Sequence, residues 1–239
     1  MLNKKNLKKY LLEHNLTEDV QKCEVEELSG GIINRIFRAK TEKGVFVLKQ
    51  FLDKAKIDKN IRLSPKRFFY EKYAINYLDR ILDKKITPPI VFFDDKNKII
   101  CMKDLGVNNR LDNLMLSNRL KPDVFSKIGK VLAEIHNKSF FNDSLSLLFD
   151  NEEFQELKFD YRYYRTMKYS SLIYARDELI QNCRKNKITF IHNDLKINNF
   201  FVLDNNKFCL IDYEGSYYGD PAFEVGYLLG HLFVYYFNQ

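Results

Sequence analysis

The sequence predicts an α+β protein of two lobes, and three observations lead there. Short β-branched and aromatic runs separated by turn residues dominate the first hundred positions. Amphipathic helical periodicity marks much of the remaining chain. Between two apolar runs lies FIHNDLKINNFFV, Phe190 to Val202, whose histidine, aspartate, lysine and three asparagines crowd the edge of what reads as core. The strand-rich portion meets the helix-rich portion near residue 103, so the lobes are expected to span 1–103 and 104–239.

VFVLKQF (45–51) reads as the second arm of a hairpin that begins near NRIFRAK, with LSGGIIN (28–34) as the loop before it. In LSPKRFFYEKYAINYLDRIL, Ser64 suits an N-cap and Pro65 a first helical position, and Phe68, Ile75, Leu78 and Leu82 share one face. Glu71 falls inside that apolar arc, where a carboxylate is costly unless a cation meets it. TPPIVFF and KIICMKDLG come next as two strands around a turn. PDVFSKIGKVLAEIHN is an amphipathic helix with Asp123 as cap and Phe125, Ile128, Leu132 and Ile135 inward.

Composition limits the functions. At 239 residues, 45% hydrophobic and 15% aromatic, the chain can bury one large core or two small ones. Cys23, Cys101, Cys183 and Cys209 show no CxxC spacing, which argues against zinc and against a disulfide framework. The charged start lacks an apolar core of signal-peptide length, and the longest apolar run, Val225 to Phe237, is interrupted by His231 and too short to cross a bilayer. A soluble, cytoplasmic protein without a membrane partner is expected.

The net charge of +7 suits anions, either nucleic acid or phosphate on a small molecule, and the lysines are spread along the chain. KFDYRYYRTMKYSSLIYAR (158–176) interleaves basic and aromatic residues as a single-strand binder would. The same pattern suits an amphipathic helical segment with packed tyrosines. The second reading is favoured, so nucleic acid is the less favoured partner.

The polar stretch can be placed on a hairpin. FFVL, DNNK and FCLI read as strand, turn and strand, ending at Asp212. If Leu203 pairs with Phe208 and Phe200 with Ile211, the next rung sets Asn199 opposite Asp212. Opposed Cβ atoms lie roughly 4.5–5.5 Å apart, so one amide oxygen and one carboxylate could share a hard cation such as Mg²⁺. Asp194, five residues earlier, is free to face the same point.

His192, Asp194 and Asn199 match H-x-D-x-x-x-x-N, and Asp212 in LIDYE stands where kinases carry a metal-binding aspartate. From about Leu28 to Phe237 the chain resembles the protein-kinase-like small-molecule kinases: aminoglycoside phosphotransferases, choline kinases and 5-methylthioribose kinases. The resemblance implies a bilobal protein-kinase-like fold, with an ATP-binding lobe over 1–103 and a catalytic lobe over 104–239. It implies ATP and Mg²⁺ as cofactors and a small-molecule hydroxyl as acceptor. Ser29, Gly30 and Gly31 would let backbone amides approach the phosphates. Lys49 would hold phosphates and Glu71 would orient Lys49, which accounts for the inward carboxylate. Backbone groups near Met102 and Asp104 would meet the adenine edge. Asp194 would accept the acceptor's proton, Asn199 and Asp212 would hold Mg²⁺, and Glu214 would be a weaker further ligand. His192 is expected to be structural, and Glu224, where many relatives have aspartate, to brace the catalytic loop.

A nucleotide-binding pseudokinase is a third reading. Relatives usually continue well past GDPAFEVG, so the acceptor pocket is expected to be small, open, or completed by another segment or a second subunit. YLLGHLFVYYF would be the docking surface for that cover.

Overall fold

The computed structural model describes residues 1–28, 33–56, 60–121, 123–168, 171–203 and 207–237. By contacts the chain divides into two compact units, one of Met1–Lys72 with Pro88–Gly106 and one of Tyr73–Thr87 with Val107–Gln239. Antiparallel sheet dominates the first and helix the second, as the α+β prediction requires.

The first unit is built on five antiparallel strands in the order β1-β2-β3-β5-β4: β1 (Glu24–Glu27), β2 (Arg35–Thr41), β3 (Gly44–Gln50), β4 (Ile90–Asp94) and β5 (Ile99–Lys103). The two-residue period of the strands divides their side chains between two faces. Phe37, Ala39, Phe46, Leu48, Ile99 and Cys101 pack with Leu7, Tyr10 and Leu11 of the helix α1 (Lys4–Glu13). On the other face Val47, Phe51, Ile100 and Met102 meet Phe68 of α2 (Arg67–Ile81). Lys49 lies two residues from both Val47 and Phe51, so it belongs to the face that α2 covers.

The structure moves the start of α2. Arg67 is its first residue, and Ser64 accepts from the Lys66 and Arg67 amides in the turn before it. Pro65 and Lys66 thus form a lead-in turn rather than the first helical turn. The expected inward face holds, with Phe68, Ile75, Leu78 and Leu82 all buried. Arg67 is fully buried, bonding Asn34 Oδ1 at 3.1 Å, Leu52 O at 2.8 Å and Ser64 O at 3.2 Å.

In the second unit α4 (Asp123–Ser139) buries Val124, Ile128, Leu132 and Ile135. Phe125, expected inward, is only half-buried, because Val124 lies on the arc that Ile128 and Ile135 define. Two short ribbons complete the unit's strands: β6 (Thr189–Ile191) pairs with β9 (Tyr217–Gly219), and β7 (Phe200–Val202) with β8 (Phe208–Leu210). Helix α8 (Pro221–Phe237) packs on β6 and on the 3₁₀ turn Ile197–Asn199.

The β7–β8 register differs from the expected one by a residue. Phe200 pairs with Leu210, Phe201 with Cys209 and Val202 with Phe208, so the next position opposite Asn199 is Ile211, whose amide bonds Asn199 O at 3.0 Å. Burying Phe200, Phe208 and Leu210 together fixes this pairing. Asp212 then leaves the ladder in a left-handed conformation, φ 71° and ψ 53°, which turns the chain away from strand geometry.

All four cysteines are reduced and buried. Burial raises the thiols of Cys101, Cys183 and Cys209 to about 12. Among the described residues no helix is long and apolar enough to cross a membrane.

Candidate active site

Each unit carries part of the predicted site. In the first, Lys49 Nζ donates to Glu71 Oε2 at 2.5 Å, with both side chains buried. The ammonium also lies 4.9 Å from the centroid of Phe51. The inward carboxylate on α2 therefore meets the cation its position demanded. Ser29, Gly30 and Gly31 lie outside the described residues. Met102 is buried in β5 between Val47 and Ile90. Asp104 pairs with Arg38 at 3.0 Å, and its amide donates to Val45 O at 3.0 Å.

In the second unit the loop after β6 is fixed from several sides. His192 Nε2 lies 2.9 Å from Ile211 O, and Nδ1 accepts from the Asp194 amide at 3.2 Å. These partners require the proton on Nε2, and burial lowers the pKa of the ring, so His192 is a neutral clip between two loops. Glu224 accepts from the Asn193 amide at 2.9 Å through Oε1 and meets His136 Nε2 at 2.7 Å through Oε2. It braces the loop after β6, and its position is the one at which the resemblance put a bracing residue.

Asp194 is buried and ringed by donors. Arg162 pairs with Oδ1, Lys196 Nζ lies 2.9 Å from Oδ2, and Asn199 Nδ2 bonds Asp194 O at 2.9 Å. Burial opposes the carboxylate's charge, but Lys158, Arg162 and Lys196 outweigh it and hold the pKa far below the usual range. Because the Asn199 amide nitrogen faces Asp194, the Oδ1 end of that planar group is the one turned elsewhere, as a ligand to a cation would be. Asp212 comes directly after Ile211, whose amide bonds Asn199 O, so Asp212 follows the residue that lies opposite Asn199 on the ribbon. Asn199 and Asp212 could offer one amide oxygen and one carboxylate to a hard cation such as Mg²⁺, which would supply charge neutralisation there. Glu214 is buried two residues on. Among the described residues no cluster of three or more His, Cys, Asp and Glu forms a metal site.

Sequence reasoning missed the support supplied by α6 (Glu152–Phe159) and the turn after it. Lys158 Nζ donates to Asn193 O at 2.8 Å, and Gln155 Oε1 accepts from Asn193 Nδ2 at 2.5 Å. Burial pushes Lys158 down to about 8 against the pull of Asp194. Arg162 projects from a π-helical turn, Asp160–Tyr164, and lies over Tyr227 at 4.5 Å. Both cations sit in the stretch read as interleaved basic and aromatic residues. The four-residue spacing from Phe154 was the available signal for Lys158, and the π-helical turn left none for Arg162.

Known proteins resemble this chain in sequence and in fold. Residues 97–237 match the model of the phosphotransferase enzyme family. A 4-hydroxytryptamine kinase of Psilocybe cyanescens is 24% identical over 264 residues, covering 94% of this chain and 71% of that protein. Choline kinase LicA from Streptococcus pneumoniae superposes with a TM-score of 0.59 at 17% identity, over 95% of this chain and 74% of that one. A Plasmodium vivax ethanolamine kinase gives 0.58 at 15% identity, over 96% and 67%. The family match covers more than half of the sequence, so the chain belongs to the phosphotransferase enzyme family.

Proposed function

We propose that the protein transfers the γ-phosphoryl group of ATP to a hydroxyl of a small metabolite, with Asp194 as the acceptor of the hydroxyl proton. The observation that supports this most directly is the placement of Asp194. It is a buried carboxylate on a loop clamped by His192, Asn199 and Glu224, at the end of the ribbon that leads to Asp212. Phosphoryl transfer asks for alignment and charge neutralisation more than covalent help, and a loop fixed in this way supplies alignment.

In this reading Lys49, oriented by Glu71, holds ATP phosphates, and the segment from Met102 to Asp104 meets the adenine. Ser29, Gly30 and Gly31 cover the phosphates. Asn199 and Asp212 hold Mg²⁺, with Glu214 as a weaker ligand; when bound, the ion neutralises phosphate charge. The acceptor is a sugar-like, amino-alcohol, aminoglycoside or aromatic hydroxyl compound.

The test is an ATP-consumption screen with Mg²⁺ over methylthioribose, choline, ethanolamine, aminoglycosides and 4-hydroxytryptamine, run beside Asp194→Asn. Turnover on one acceptor that falls at least about a hundredfold in the variant is the expected result, since a positioned base contributes 10² to 10⁴ in rate. Equal turnover in the two proteins would remove Asp194 from the mechanism. A melting temperature unmoved by millimolar ATP and Mg²⁺ would count against nucleotide binding itself.

A further inference from the structure

A groove of about 510 Å³ runs along α8, with Tyr163, Phe223, Tyr227 and His231 in its walls. That volume lies within the 300–1,000 Å³ typical of small-ligand sites. Gly226 and Gly230 also line it, and a Cβ built on either would meet nothing within 4 Å. Glycine inside a helix is destabilising relative to alanine. Two of them four residues apart, facing open space, keep the groove clear at a cost in helix stability.

The groove is linked to Asp194 through one side chain. Arg162 lies over the ring of Tyr227 and pairs with the Asp194 carboxylate, and its Nη1 is buried with no hydrogen-bond partner among the described residues. Arg162 thus ties the Tyr227 wall of the groove to the Asp194 carboxylate. None of the residues lining the groove is a carboxylate, so an ammonium group would find no counterion there. The Tyr227 face, the natural seat for such a cation, already carries Arg162. Burial, followed by Lys196 and Arg162, lowers the pKa of His231, which leaves it a neutral partner in an apolar wall.

We propose that this groove holds the flat apolar body of a neutral aromatic alcohol or phenol whose hydroxyl reaches Asp194 beside Arg162. The proposal rests on the kinase reading and specifies its substrate class. The acceptor oxygen bonds to the γ-phosphorus as the bond to the ADP oxygen breaks, and the acceptor proton passes to Asp194 and then to water.

Calorimetric titration of the protein with tryptophol and with ethanolamine, each with Mg²⁺ and a non-hydrolysable ATP analogue present, tests it. Tryptophol is expected to bind at least tenfold more tightly. The double variant Gly226→Ala/Gly230→Ala is expected to melt at the same or a higher temperature, to keep its melting shift with Mg²⁺ and ATP, and to lose at least tenfold in tryptophol affinity. Should that variant fold poorly, Val234→Trp, at an exposed position of the groove, is expected to give the same loss. Tryptophol binding no tighter than ethanolamine, or undiminished in a folded variant, overturns the proposal. Failure of the kinase reading has a separate signature, the absence of any wild-type melting shift with Mg²⁺ and ATP.

Discussion

Lys158 Nζ donates to the carbonyl oxygen of Asn193 at 2.8 Å, which sets a buried ammonium directly behind the peptide that leads into Asp194. Three cations, Lys158, Arg162 and Lys196, thus act on one carboxylate from different elements.

That lysine should make stability depend on pH. Its pKa is about 8 in the folded protein and 10.5 by reference, so between those values the unfolded chain holds a proton that the folded protein has released. Stability contributed by Lys158 therefore rises with pH across that window. Urea unfolding at pH 7, 8, 9 and 10 should show wild type gaining on Lys158→Met, with no such gain if the ammonium is in fact solvated.

Gly215→Ala should act through the same lysine. A Cβ there would collide with Lys158 Nζ, and the flexible end of the side chain must move away. Loss of its bond to Asn193 should make the pH dependence of unfolding resemble that of Lys158→Met. A wild-type profile would show that the lysine relocates without leaving Asn193.

The Lys49–Glu71 pair should behave as a unit. Removing Glu71 alone strands a buried ammonium, which typically costs about 3–5 kcal/mol. Lys49→Met combined with Glu71→Leu should recover most of that stability in denaturant while the melting shift with Mg²⁺ and ATP stays lost. Additive destabilisation in the double variant would refute the coupling.

Glu224→Ala removes the acceptor of a buried amide, at a cost of about 1–3 kcal/mol. Turnover should fall about tenfold or more while the melting shift with nucleotide persists, because the loop loses its brace. Glu224→Gln keeps an oxygen for the Asn193 amide and should restore most of the activity. A glutamine variant as impaired as alanine would place the effect in the charge facing His136.

Much of this was legible because the informative residues break local rules. A glutamate inside an apolar arc predicted a cation, and Lys49 meets it. The inward face of α2 came from spacing alone. The β7–β8 register did not, because apolar runs on both arms allow a one-residue slip and only burial of Phe200, Phe208 and Leu210 together selects the pairing. Helix α1 went unread although Asn3 and Asn6 form a capping box ahead of Leu7, Tyr10 and Leu11. Lys158 and Arg162 were hidden by their company, since basic residues among tyrosines read as a surface and a π-helical turn leaves no signature in spacing.

The buried thiols have a practical consequence. Cys23 and Cys101 belong to the first unit, Cys183 and Cys209 to the second. A thiol reagent needs access, which all four lack until the surrounding residues open, and burial also keeps Cys101, Cys183 and Cys209 as thiols. The natural chain therefore carries its own labels: the rate at which each cysteine is modified under native conditions, resolved by peptide mass, times the local opening of each unit without any engineered probe.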